Sequence, residues 1–230
     1  MWTEAGLLMG ISDFPKAFIF DMDGVIVNSN PLHRQVWMEF NAAHGIQTTD
    51  AMFERMYGKR TDQVIRDFYG DDLPEAEVLA MGAAKEALYR EMMRPQLEAC
   101  LVPGVREFMA AHAVWPMAVA TNAEPPNLDF VLEVAQLDPY IRVRVNGYEV
   151  EHPKPAPDIY LKAAAALGVD PAHCVVFEDS HSGVAAGLAA GMRVVGLTTT
   201  HPFLPGVSLA IPDFRDPQLA AWLTMKLPTK

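Results

Sequence analysis

The chain has 230 residues, half of them hydrophobic, enough for one large domain or for one domain carrying an insertion. A formal net charge of −11 argues against a general nucleic-acid binder, and no apolar run is long enough to span a membrane. The same charge does not argue against small anionic substrates, because a few local cations and a metal reverse the field inside a cleft.

The first 13 residues are mildly apolar but contain Glu4 and lack a basic stretch, so they do not read as a signal peptide. Phe18, Ile19 and Phe20 then form a short apolar run, the pattern of a strand buried on both faces of a parallel sheet. Asp21 and Asp23 follow at i and i+2, with Gly24 directly after. Carboxylates are costly to hide at the end of a buried strand, and open α/β sheets bind ligands outside the carboxyl ends of their strands. The pair is therefore expected at the mouth of a sheet, able to hold a cation and do chemistry. Asp-Gly is also a common turn pair, so this segment does not establish a site by itself.

Leu32, Val36, Phe40 and Ala43 recur at helical spacing, and His44-Gly45 gives a stop. Further helices are predicted over residues 49–56, 61–69 and 75–93, so residues 32–94 hold no convincing strand. Residues 95–103 read as a linker carrying Cys100. The chain then alternates: helix over 104–112, strand over 115–120, helix over 126–136, strand over 143–145, helix over 157–167, strand over 174–177, helix over 182–190 and strand over 193–197. An edge strand near 208–211 and a helix from about 217 complete it. Alternation of this kind predicts an α/β fold with a doubly wound parallel sheet. An all-helical domain at 31–95 interrupts a core formed by 1–30 and 96–230. Cys174 falls in a strand and Cys100 in the linker, which reads as two reduced thiols of a cytoplasmic protein rather than a bridge.

Four strand ends deliver polar residues: Asp21 and Asp23, then Thr121-Asn122, then Lys154 ahead of the 157–167 helix, then Glu178-Asp179-Ser180. In a parallel sheet these ends share one rim. Each has a bland reading alone, Thr121 as a helix cap, Lys154 as a loop lysine, Glu178 and Asp179 as acids at a helix start. Together they suit phosphoryl transfer. A carboxylate can attack phosphorus, a hard divalent ion suits oxygen ligands, and a lysine and a hydroxyl can hold the remaining phosphoryl oxygens.

The chain resembles the haloacid dehalogenase-like superfamily, in the branch with a helical cap inserted after the first motif. Asp21-Met22-Asp23-Gly24-Val25 matches that motif, Thr121 the second, Lys154 the third and Glu178-Asp179 the fourth. The resemblance implies that Asp21 is the nucleophile and Asp23 the general acid and base. It implies that Thr121, Asn122 and Lys154 bind phosphate, and that Asp21, Asp23 (through its carbonyl), Glu178 and Asp179 bind Mg²⁺. It further implies a mobile flap at residues 24–29. The substrate would be a small phosphate ester, the protein a monomer or weak homodimer.

Asp23 argues against a dehalogenase or phosphonatase, which generally lack an acid there. Two readings stay open: a sugar-phosphate phosphatase and a β-phosphoglucomutase-type mutase. Asp21–Ser29 and Lys154–Tyr160 resemble the mutase, and His33, Trp37 and Lys85 fall at positions it fills alike. Against it, Arg60 stands one position ahead of the arginine that grips a second phosphate there, and Asn28 replaces the acid after the flap. Residues 121–125 also lack its serine-rich loop. His33, Arg60 and Lys85 are accordingly the cap candidates, and the balance of features favours the phosphatase.

Overall fold

The structure is a computed structural model that describes residues 15–224. The reading of the first 13 residues as no signal peptide therefore lies outside the described residues. Six parallel strands form one sheet: β1 (Ala17–Phe20), β2 (Met117–Thr121), β3 (Ile141–Asn146), β4 (Cys174–Glu178), β5 (Arg193–Leu197) and β6 (Leu209–Ile211), in the order β3-β2-β1-β4-β5-β6. Among the described residues the first strand lies in the middle of the sheet and the later ones wind outward to both edges, so β1 lies between β2 and β4.

Strand alternation sorts the core into two layers. Phe18 and Phe20 point to one face, where they meet Phe108, Phe177 and Phe214, with Phe20 stacked on Phe177 at 5.0 Å. Ala17 and Ile19 point to the other, against Ile159, Tyr160 and Ala163. Helices α6 (Val105–Ala111), α7 (Pro125–Val134) and α10 (Pro217–Leu223) cover the first face; α8 (Asp158–Leu167) and α9 (His181–Ala189) cover the second. Every residue of β1, β2 and β4 is buried, as helices on both faces of a parallel sheet require.

Between β1 and β2 come α1 (Asn30–Ala43), α2 (Asp50–Met56), α3 (Thr61–Tyr69), α4 (Glu75–Met93) and α5 (Leu97–Cys100). Residues 95–103, expected to be a linker, thus contain a short helical turn. Thr49 caps α2, its hydroxyl accepting from the Met52 N–H. Trp37, Phe40, Phe53, Met56, Val64, Ile65 and Val78 form a small core of their own within this block. Leu32 and Val36 at one end, and Tyr89, Met93 and Leu97 at the other, pack instead with the aromatic layer of the sheet.

Residues 24–29, read as the flap, fold into a compact turn. Val25, Ile26 and Val27 are fully buried, their N–H groups all directed at the Met22 carbonyl, and Val27 bridges to Leu101. Gly24 turns the chain with φ +76°; a Cβ there would fall 1.8 Å from Asp179 Oδ2, so only glycine brings this backbone against the acid of β4's end. Cys100 and Cys174 are free thiols, and among the described residues no helix is long and apolar enough to cross a membrane.

Candidate active site

The sheet order brings three strand ends side by side. Asp21 follows β1, Thr121 ends β2 and Glu178 ends β4, on the two neighbours of β1. Lys154 enters from the loop before α8 and lies 2.7 Å from both Asp21 Oδ1 and Glu178 Oε1. Glu178 is wholly buried yet fully hydrogen-bonded. Its Oε1 accepts from Lys154 and from the Tyr160 hydroxyl at 2.8 Å, and its Oε2 accepts from the Asp179 N–H, the Ser180 N–H and the Ser180 hydroxyl at 2.9–3.0 Å. Burial works against its charge, but Lys154 and these donors hold Glu178 below its ordinary range.

Asp179 Oδ2 accepts from Asn30 at 3.3 Å and from the Thr200 hydroxyl. Oxygens of Asp21, Glu178 and Asp179 lie within 4.8 Å of one another. Three buried carboxylates beside one lysine leave an excess of two negative charges. Burial pushes Asp21 up to about 7 and Asp179 well above the carboxylate range, with repulsion from Glu178 adding in both cases and Lys154 opposing it at Asp21. The group therefore suits a hard divalent cation, which would neutralise that excess with oxygen ligands. The Asp23 carboxylate stands outside this cluster. It accepts from the Ser29 hydroxyl at 2.5 Å and lies 3.5 Å from His33 Nε2. Burial works against its charge too, but His33 and Ser29 hold it low.

The helical block closes the cavity from the other side. His33 stacks on Tyr89 at 4.1 Å and receives a hydrogen bond at Nδ1 from Lys85 Nζ, 2.9 Å away. Lys85, 2 % exposed, also pairs with Glu86 at 2.9 Å and lies over the Trp37 ring. Asn122 donates to the Gly58 carbonyl at 2.7 Å, across the gap between block and sheet. Asp21, Asp23, His33, Lys85, Thr121, Asn122, Lys154 and Asp179 all line one cavity, and Glu178 stands directly behind Lys154.

Arg60 is the predicted residue that the fold does not bring in. Its guanidinium pairs with Asp62 at 2.5 Å, donates to the Gly147 carbonyl at 3.1 Å and lies over Tyr148, while its neighbours Lys59 and Thr61 line the cavity instead. It is the residue preceding α3, and its side chain, 21 % exposed, bridges from the helical block to the loop after β3.

Sequence reasoning missed Glu86, Asn127, Asn30, Thr200 and Tyr160. Four of these are contacts between elements far apart in the chain, with no local signal. Glu86 did leave one: Val78, Gly82, Lys85, Glu86, Tyr89 and Met93 make up the buried stripe of α4, so the Lys-Glu pair occupies positions where apolar residues belong.

Residues 15–191 match the model of a family of hydrolases, the haloacid dehalogenase-like hydrolases. The protein CbbY of Rhodobacter capsulatus is 33% identical over 224 residues, covering 93% of this chain and 97% of its own. Fructose-1-phosphate phosphatase YqaB of Escherichia coli is 33% identical over 177 residues, covering 77% of this chain and 93% of its own. In three dimensions, a β-phosphoglucomutase structure from Clostridium difficile superposes with a TM-score of 0.81 over 91% of this chain and 97% of that one, at 20% identity, a likeness of fold alone. A family match across most of the chain, full-length relatives and the four motif groups gathered at one rim identify an enzyme: the chain belongs to the haloacid dehalogenase-like hydrolases.

Proposed function

We propose that this protein is a Mg²⁺-dependent phosphomonoester hydrolase acting on a small phosphorylated metabolite, a sugar or polyol phosphate, through an aspartyl-phosphate intermediate. The observation that carries the reading is Lys154 held between Asp21 and Glu178 at 2.7 Å, with Asp179 beside them. That arrangement offers a nucleophile, a cation for phosphoryl oxygens and a divalent-metal site within one cavity.

A carboxylate oxygen of Asp21 attacks phosphorus, and the bond from phosphorus to the ester oxygen breaks. Asp23 gives its proton to that oxygen, and the alcohol leaves. A dianionic phosphoryl group arriving beside Asp23 favours its protonated form by like-charge repulsion. Asp23, now ionised, takes a proton from water as the water oxygen attacks phosphorus, and the bond to Asp21 breaks, releasing phosphate. Lys154 and the Thr121 hydroxyl hold the phosphoryl oxygens throughout. Asp21 and Asp179 would ligate Mg²⁺, with Glu178 fixing Lys154 beside them; the ion supplies neutralisation of the charge that gathers on the phosphoryl group.

The phosphatase relative YqaB supports hydrolysis. So does the commitment of Arg60 to Asp62 and to the Gly147 carbonyl, with Thr61 on the cavity wall where a mutase needs a well-aimed arginine on a second phosphate. The test is phosphate release from a panel of sugar and polyol phosphates with Mg²⁺. EDTA is expected to abolish release and Mg²⁺ to restore it, with Ca²⁺ a poor substitute because its larger, looser coordination misplaces the attack. Full activity after exhaustive metal removal would refute the metal assignment. Rapid isomerisation of β-glucose 1-phosphate without phosphate release would establish the mutase instead.

The block at residues 31–95 acts as a cap whose closure excludes water and completes the site. Gly58 is where it seats. Its φ is +73°, and a Cβ would lie 2.2 Å from Ser182 Oγ and 3.2 Å from Ser180 Oγ. Gly58→Ala is expected to strain this loop by about 1–3 kcal/mol and, by pushing it off Ser182 and Ser180, to lower kcat/KM by about ten- to a hundredfold. An unchanged kcat/KM would show that this loop need not seat during turnover.

A further inference from the structure

Among the described residues, two ion pairs join the helical block to the sheet domain. One is His33 with Asp23, inside the site. The other is Arg90 with Glu124, beside it. Glu124 stands at the N-cap of α7, yet its carboxylate makes no capping bond. The local sequence explains this. Pro125 and Pro126 follow, so the first two helical positions have no N–H to offer, and the Asn127 N–H already bonds the Glu124 carbonyl at 3.0 Å. The carboxylate is thereby left to face the block, where it accepts from Arg90 Nη1 at 2.7 Å. Burial pushes Glu124 up and Arg90 opposes that shift.

Asn127, 2 % exposed, is committed to the block at both ends of its amide. Its Oδ1 accepts from the same Arg90 Nη1 at 2.6 Å, and its Nδ2 donates to Glu86 Oε2 at 2.7 Å. Glu86 in turn accepts from Lys85, and Lys85 donates to His33. The hinge-side end of α4 is fixed differently, with Tyr89 and Met93 embedded in the aromatic layer of the sheet. Separating apolar groups exposes them to water at full cost, whereas separated polar groups regain bonds to water. The seam is therefore anchored at Met93 and Tyr89 and able to part reversibly at Arg90 and Glu86.

Resting on the reading of residues 31–95 as a closing cap, we propose that Arg90 is a positioning residue of the reaction: it clasps Glu124 and Asn127 of α7 and so holds the cap docked over the site. Both bonds leave one nitrogen, Nη1, so the clasp needs a cation with several donors at one point and not a planar fork. Without that cation, Glu124 and Asn127 Oδ1 lose their partner in the docked form but are hydrated in the open one, and the balance moves toward open.

The experiment compares Arg90→Met, Arg90→Lys, Glu124→Gln and the double variant Arg90→Met with Glu124→Gln, each checked for folding by a circular-dichroism melt. Hydrogen exchange over residues 57–61 and 122–127, on the two sides of the seam, is measured in the resting protein. Arg90→Met is expected to speed exchange there by about tenfold and to lower kcat/KM on para-nitrophenyl phosphate by about tenfold. Arg90→Lys is expected to stay within about threefold of the unsubstituted protein in both, because an ammonium has three donors on one nitrogen. Glu124→Gln is expected to act in the same direction, and the double variant to be no more than about threefold worse than Arg90→Met, since the two changes break one clasp. Exchange at the seam that Arg90→Met leaves within about twofold overturns the proposal, even if the melting temperature falls. So does Arg90→Lys no better than Arg90→Met, or effects that multiply fully in the double variant. If the unsubstituted protein releases no phosphate from any ester, the phosphatase reading fails, and exchange at the seam still decides the clasp.

Discussion

Asp21→Asn protein is expected to fold and to bind its phosphate ester, but to turn it over at least about 10⁴-fold more slowly, the scale on which removal of a nucleophile acts. An amide is neither a comparable nucleophile nor an anionic metal ligand. The fold should tolerate the change because Lys154 keeps its 2.7 Å contact with Glu178. Burial and the neighbouring acids already work against the charge on Asp21 and push it up to about 7, so losing that charge removes strain from the metal-free protein rather than adding it. Phosphate release at saturating Mg²⁺ and substrate measures the effect, with a circular-dichroism melt as the check on folding. Turnover within about tenfold of the unsubstituted enzyme would mean that another group attacks phosphorus.

The second large effect falls on stability. Lys154 is the cation between two buried carboxylates, 2.7 Å from each. Lys154→Met keeps a similar volume but strands Asp21 and Glu178 with no counter-charge. Removing one partner of a buried pair costs about 3–5 kcal/mol, because the remaining charge is left uncompensated. For a chain of this size that corresponds to a fall in Tm of roughly 6–20 °C. The measurement belongs in chelator, so that bound metal does not replace the missing charge. Activity should fall as well, since the same ammonium holds phosphoryl oxygens in the proposed mechanism. A loss below about 1 kcal/mol would show that the two acids are neutralised by protonation instead of by Lys154.

The two experiments separate the roles packed into one cluster. Asp21→Asn tests chemistry with the charge balance improved; Lys154→Met tests charge balance directly. Both differ from Gly58→Ala, which leaves every ionisable group in place and changes the backbone of the loop that seats against Ser180 and Ser182.

The sheet and its rim were legible in the sequence because they rest on local signals. Phe18–Phe20 and 174–177 are short apolar runs with the pattern of buried strands, and each is followed at once by acids that are costly to bury without partners. Strand, helix and parallel strand repeating along the chain leave one handed way to wind, so Asp21, Thr121, Lys154 and Glu178 had to meet at one edge. The helical block was equally legible, since its apolar spacing admits no strand. What only the tertiary structure decided is the direction of side chains on surfaces that meet across the cap. Arg60 and Thr61 are adjacent in sequence, yet contacts with Gly147 and Tyr148 hold one at the seam between block and sheet and leave the other on the cavity wall. Glu86 acquires its meaning from Thr61 and Asn127, 25 and 41 residues away. Asp179 likewise takes Asn30 and Thr200 from distant segments. Periodicity determines which face of an element is buried, but not which distant group completes a buried polar atom, because that pairing forms only when the elements dock.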